Sequence, residues 1–164
     1  MKDAQIAVAE EKNTISICSL RVGDALFGID TRQIREALGK TTPQQVPLAP
    51  KYIAGVVPYR GDVLTTVSLR VLLGLEPLAE TGCILVLDDK EDNQHFGVLV
   101  DGVGKVLTMD LNALEENPRR LDPRSMELFD GAFRMDFGLM VRLNPQRLRP
   151  SRLAASGIFA TRKQ

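Results

Sequence analysis

The 164-residue chain predicts a mainly β fold made of two small barrels that share a buried seam. Three observations predict it. Apolar runs are short and recur between Gly-rich turns, the pattern of a sandwich or barrel. The stretch from Tyr52 to Leu75, YIAGVVPYRGDVLTTVSLRVLLGL, spells strand, tight turn, strand and capped short helix in succession. The second half also echoes the first: Phe96-Gly97-Val98 repeats Phe27-Gly28-Ile29, and Gly131 to Leu148 repeats the Tyr52 segment. Read as a degenerate duplication, each half supplies only four or five strands, and a half of ~70 residues holds a marginal core. Two small closures packed on each other answer that shortage.

Residues 1–13 are polar and acidic and are expected to be a disordered tail. Ile15 to Ile29 reads as a hairpin, with Cys18, Leu20 and Val22 alternating onto one face and Gly23-Asp24 at the turn. Asp30-Thr31-Arg32-Gln33 resembles a capping box and predicts a short helix, with Ile34 and Leu38 one turn apart. A Pro-rich connector, Thr41–Pro50, leads to the next hairpin, for which Gly61-Asp62 is the expected two-residue turn. Ser68 is the expected N-cap of a helix over Leu69–Leu73, and Gly74 its stop. Cys83–Leu87 and His95–Val100 form another hairpin around the polar loop Asp88–Gln94. In the last round Asn144 stands where Ser68 caps, and Pro145 falls at the first helical position, where its missing N–H costs nothing. The expected organisation is one domain over 14–154, with halves of about 14–80 and 81–154, and a flexible tail over 155–164.

Composition excludes several function classes. Twenty-one basic residues balance twenty-one acidic ones, so the chain lacks the overall positive field of a nucleic-acid binder, and two Tyr with no Trp give no stacking platform. Apolar runs such as Ile84–Leu87 are far short of the ~20 residues that span a bilayer. Cys18 and Cys83, both in strand-like runs, make no disulfide framework and point to a reducing cytoplasm. One His and two distant Cys make no zinc site. Gly102-Val103-Gly104-Lys105 fails as a phosphate loop, because Leu99 stands at the first Gly position and Val106 follows the lysine. Asp88, Asp89, Glu91 and Asp92 lack calcium-loop spacing and read as a solvated hairpin tip. A thiol enzyme using Cys18 or Cys83 with His95 is the remote enzymatic alternative. No cofactor is expected.

The Tyr52–Leu75 residues carry a resemblance. They are similar to the signature of the CheW family, the adaptors of bacterial chemosensory arrays, I-x-G-V-x-N-L-R-G-x-V-I-P-V-x-D-L-R-x-x-L-G-L. Ile53, Gly55, Val56, Arg60, Gly61, Val63, Leu64, Val67, Leu69, Arg70, Leu73, Gly74 and Leu75 fit it. Pro58-Tyr59 replaces the family's Asn-Leu, Leu64-Thr65 its Ile-Pro, and Ser68 its capping Asp. The resemblance covers roughly Ile15 to Leu153. It implies two packed five-stranded SH3-like β-barrels with a few short helices and a groove between them.

By the same resemblance the chain is a non-enzymatic adaptor that couples methyl-accepting chemoreceptors to a CheA-type histidine kinase. The implied partners are the helical cytoplasmic tip of the receptor and the regulatory domain of the kinase, with no nucleic acid and no insertion into the membrane. The protein is expected to be monomeric alone and of higher order in membrane-bound arrays. An alternative is a diverged coupling protein of a pilus or gliding system that binds a single partner. Ile34, Glu36, Gly55, Arg60, Gly61 and Gly97 are the residues the resemblance places at partner surfaces. Glycine at 55 and 97 suits close approach of a partner helix. Glu36 and Arg60 are expected to form a charge pair, Glu36 lying in the predicted short helix. The segment from Phe137 onward has no acidic residue, and its Arg142, Arg147, Arg149, Arg152, Arg162 and Lys163 await either the chain's own acidic surface or an acidic partner.

Overall fold

Strand alternation begins at Thr14. The computed structural model describes residues 13–77, 82–116 and 127–157, so the amino-terminal tail through residue 12 and the end of the chain, with Arg162 and Lys163, lie outside the described residues. β1 (Thr14–Val22) and β2 (Ala25–Asp30) form the first hairpin, closed by Gly23-Asp24 with Val22 paired to Ala25.

The predicted helix after it is not formed. Asp30 does cap, accepting the Arg32 N–H at 2.9 Å, but the result is one 3-10 turn, Thr31–Gln33. The chain then extends as β3 (Ile34–Thr41). A spacing of four puts Ile34 and Leu38 on one face in a helix and in a strand alike. Glu36 decides between them: it is half-buried on the same side as Ile34 and Leu38, a period of two.

β4 (Ile53–Tyr59) and β5 (Asp62–Ser68) follow, and their turn is Arg60-Gly61, one residue earlier than expected. Tyr59 pairs with Asp62, and both turn residues have positive φ, 52° and 79°. Two such residues make the turn whose twist matches the strands. Ser68 caps the one-turn helix Leu69–Leu72, its hydroxyl accepting the Val71 N–H at 3.3 Å. β6 (Gly82–Asp89), β7 (Gln94–Val100), β8 (Gly102–Asp110) and the short β9 (Leu114–Glu115) follow. β10 (Phe129–Met135) and β11 (Gly138–Leu143) form the last hairpin. Asn144 caps a 3-10 turn over Pro145–Leu148, and a helix over Pro150–Ser156 ends at Gly157.

The strands form two sheets, ordered β3-β6-β7-β5-β4 and β8-β1-β2-β11-β10-β9. Beyond β3, Gln44 exchanges backbone bonds with Val56 of β4 at 2.8 and 2.9 Å, which joins the two edges of the first sheet into a five-stranded closure. β8 and β9 are one stretch bent at the 3-10 turn Leu111–Ala113, and β9 pairs with β10, which closes the second sheet alike. The expectation of two five-stranded closures is met. The expectation that each half builds its own is not. The β1–β2 hairpin of the first half pairs with β8 and β11 of the second, while the β6–β7 hairpin of the second half pairs with β3 and β5 of the first. Both exchanges end in a parallel pairing, β2 with β11 and β5 with β7. Parallel neighbours need a long crossover between them: between β2 and β11 it runs through the whole of the other barrel, and between β5 and β7 through the one-turn helix and β6.

This exchange places the main core between the barrels. The largest buried cluster joins Leu20, Phe27 and Ile29 of one barrel to Val67, Leu85 and Phe96 of the other, and the C-terminal Leu148 and Leu153 pack on it. Each barrel interior is smaller: Val57, Leu64, Ile84 and Val86 in one, Ile15, Ile17, Phe133 and Met140 in the other. A polar tie reinforces the junction. Arg70 of the one-turn helix meets Asp101 at 2.6 Å, and the same carboxylate oxygen accepts the Gly23 N–H at 2.7 Å.

Candidate functional site

Arg60 occupies a turn position that asks for φ > 0, where Asn or Gly fits with less strain. The turn projects its guanidinium over the Tyr59 ring, 5.3 Å from the ring centre, and leaves the side chain 72% exposed. Its Nε donates to the Tyr59 hydroxyl at 3.0 Å and its Nη2 to Glu36 Oε1 at 3.0 Å. The Tyr59 hydroxyl donates to the same Glu36 oxygen at 2.8 Å. Glu36 and Arg60 therefore pair, as expected, and Tyr59 bonds to both. The bonds from Arg60 and then Tyr59 hold the Glu36 carboxyl below its ordinary range. An exposed pair adds little to stability; its effect is to fix one orientation of a charged, solvent-facing group.

A second layer supports this triad from behind. The Tyr59 ring, itself buried, meets the His95 ring edge-on at 6.1 Å. Arg35, next to Glu36 on β3, donates its Nε to His95 Nε2 at 3.2 Å, which makes Nδ1 the nitrogen that bears the proton. Nδ1 lies 2.9 Å from Asp88 Oδ1, close in charge terms but off the line of a hydrogen bond. A cleft of about 380 Å³ opens beside the triad, walled by Tyr59, Arg60 and Val63 on one side and by Asn93, Gln94 and His95 on the other.

Among the six residues expected at partner surfaces, the structure brings Glu36, Arg60 and Gly61 together. Gly61 is exposed at the turn. Ile34 is half-buried at the start of β3, packed against the inter-barrel core. Gly55 and Gly97 are buried, and what leaves no room there for a side chain is the protein itself. A Cβ at Gly55 would strike the Gln44 carbonyl oxygen, and one at Gly97 would come within 2.8 Å of Thr66 and Ile84.

The acidic loop is not simply solvated. Asp89 is buried and accepts the Glu91 and Asp92 N–H groups at 3.0 and 3.1 Å, while Arg149 meets Glu91 at 2.6 Å and Asp89 at 3.4 Å. Part of the basic carboxy-terminal segment thus partners the chain's own acidic surface. The cysteine and histidine chemistry is separated by register. Cys83 pairs with Val100 at one end of the β6–β7 hairpin and His95 with Asp88 at the other, five rungs or ~17 Å apart. Cys18 lies in the other sheet, and burial pushes its thiol up, away from the reactive thiolate. Among the described residues no group of three His, Cys, Asp or Glu side chains is placed to hold a metal, and no helix is long and apolar enough to cross a membrane.

Tyr59, Arg35, Asp88 and His95 were not foreseen as parts of one network. Tyr59 stands where the family signature has Leu, and its position two residues after Val57 on an alternating strand is the signal that its ring points inward with Val57.

The family model of the CheW-like domain matches residues 16–152. The chain is 29% identical over 102 residues to the probable chemotaxis protein CheW of Rhizobium etli and 30% identical over 102 residues to the chemotaxis protein CheW of Rhizobium meliloti. Each alignment covers 62% of this chain and 66% of the relative, just under two thirds of its length. The chemotaxis protein CheW of Treponema pallidum aligns over 149 residues at 20% identity, with 88% of this chain and 87% of the relative covered. The crystal structure of the scaffolding protein TtCheW from Thermoanaerobacter tengcongensis superposes with a TM-score of 0.71 at 20% identity, over 82% of this chain and 91% of that one. That likeness shows the shared fold.

Proposed function

The chain belongs to the CheW-like domain family, and from that premise we propose that it is a non-enzymatic adaptor coupling a methyl-accepting chemoreceptor to a CheA-type histidine kinase in cytoplasmic, membrane-associated arrays. The single observation that carries the reading is the Glu36–Tyr59–Arg60 triad. It is an exposed guanidinium locked by two bonds at a strained turn, a costly arrangement for a group with no internal work to do. A locked charge loses less freedom on binding than a free one and so suits a docking surface.

The receptor's helical tip would lie across the inter-barrel region, and the kinase regulatory domain would dock barrel to barrel. Ile34, partly exposed two residues before Glu36 on β3, and the exposed Val63 on β5 are apolar residues close to the triad in sequence. Gly55 and Gly97 serve the same surfaces from inside, by letting strands approach closely enough to hold them. Modest individual interfaces gain strength in an array through effective concentration.

Arg60→Glu is the test. It should weaken association with the receptor tip or the kinase regulatory domain by at least tenfold in calorimetric titration, while the thermal midpoint stays within a few degrees. Undiminished binding to both partners at moderate salt would remove Arg60 from the contact surface. Tyr59 favours a second reading, a coupling protein of another chemosensory system that binds one partner only, because it puts an aromatic ring and a hydroxyl into the triad where the signature has Leu. Pull-downs against each receptor and kinase separate the two.

A further inference from the structure

The end of the β6–β7 hairpin touches both the carboxy-terminal segment and the triad. On one flank the Gln146 amide donates to the Asp88 carbonyl at 3.1 Å. Arg149, buried, donates to the Gln146 carbonyl at 2.8 Å and reaches Asp89 and Glu91 of the loop. The segment that carries them is fixed in turn, since Leu148 and Leu153 are buried in the inter-barrel core.

On the other flank the same hairpin end presents Asp88 and His95 to Arg35 and Tyr59. His95 is thus enclosed by the Asp88 carboxylate from β6, the Arg35 guanidinium from β3 and the Tyr59 ring from β4. Beyond the ring lie Glu36 and Arg60. One wall of the 380 Å³ cleft belongs to this hairpin end and the other to the β4–β5 hairpin. The width of the cleft is therefore set by where the hairpin end sits.

We propose that the carboxy-terminal segment, through Gln146 and Arg149, holds the β6–β7 hairpin end in the place that sets the Tyr59–Glu36–Arg60 geometry, with His95 as the positioning residue between them. A change at the carboxy-terminal segment then alters the docking surface without touching it. This rests on the reading of Arg60 as a partner contact.

The test uses the full chain and two separate readouts. The first, without any partner, is the titration of the Glu36 carboxyl followed by NMR. In Arg149→Gln and in His95→Phe that titration moves up toward the ordinary glutamate range, because the backing of Tyr59 loosens. In His95→Gln it stays low, because the amide oxygen still accepts from Arg35 and the amide nitrogen still faces Asp88. The second readout is affinity for a receptor-tip fragment, expected to fall about fivefold in Arg149→Gln and His95→Phe and to hold in His95→Gln. Wild-type titration of Glu36 in Arg149→Gln overturns the proposal. Should that variant fail to fold, Gln146→Ala, which removes one hydrogen bond to the hairpin end, decides by the same criterion. A titration that moves while affinity holds leaves the positioning intact and counts against Arg60 as a contact for the receptor tip.

Discussion

Glu36 receives two donors and Asp30 receives four bonds from one arginine, and both carboxylates respond to pH in the same direction. Burial pushes the Asp30 carboxyl up, but the side-chain and backbone bonds from Arg32 outweigh it, and the group ends below its ordinary range. Glu36 is lowered by Arg60 and Tyr59. A carboxylate depressed in the folded state contributes its stability above the unfolded value and loses it as pH falls through the folded one. The thermal midpoint should therefore fall in acid, below the usual carboxylate range. In Asp30→Asn the acid limb should be shallower, because the amide can still cap Arg32 but no longer titrates. An unchanged acid limb in a scan of midpoint against pH would assign that stability to other groups.

At the scale of elements, the two halves solve closure the same way. In each, a strand passes a bend and bonds to the first residue beyond a glycine: Gln44 to Val56 after Gly55, and Glu115 to Ala132 after Gly131. Both glycines have positive φ, 146° and 100°, and a Cβ on either would strike the carbonyl oxygen of the crossing strand. Both also sit at register shifts in their hairpins. Gly55→Ala and Gly131→Ala should each destabilise by roughly 2–4 kcal/mol in urea titrations, by strain and collision together. Gly39→Ala is the control, since nothing lies within 4 Å of that position, and it should stay within about 0.5 kcal/mol of the parent. Equal losses at positions 39 and 55 would refute the closure argument.

At the scale of the molecule, exchange of hairpins makes the halves interdependent. Each barrel lacks two of its strands until the other half arrives, and the largest apolar cluster exists only between them. Residues 1–80 and 81–164 expressed apart should show no cooperative thermal transition by circular dichroism. The two mixed should regain one. A cooperative transition in either half alone would mean that the exchange is not needed for folding.

The sequence by itself determined the local pieces of this protein. Alternation and turn chemistry marked the strands, Ser68 and Asn144 the starts of the short helical turns, and the signature around Arg60 the family and its expected charge pair. Local rules suffice for the strands, turns and caps because each depends on residues only a few positions away, whereas the pair of Glu36 and Arg60, 24 positions apart, was expected from the resemblance. Three matters were decided only by the tertiary structure. Ile34–Thr41 became a strand because β6 offered it a ladder, where spacing alone allowed a helix. The glycines at 55 and 97 answered to the chain's own carbonyl and side chains, which no nearby residue announces. The barrels drew on both halves because burying the shared face joins hairpins some 70 residues apart, and partners that distant leave no mark in the pattern of either one.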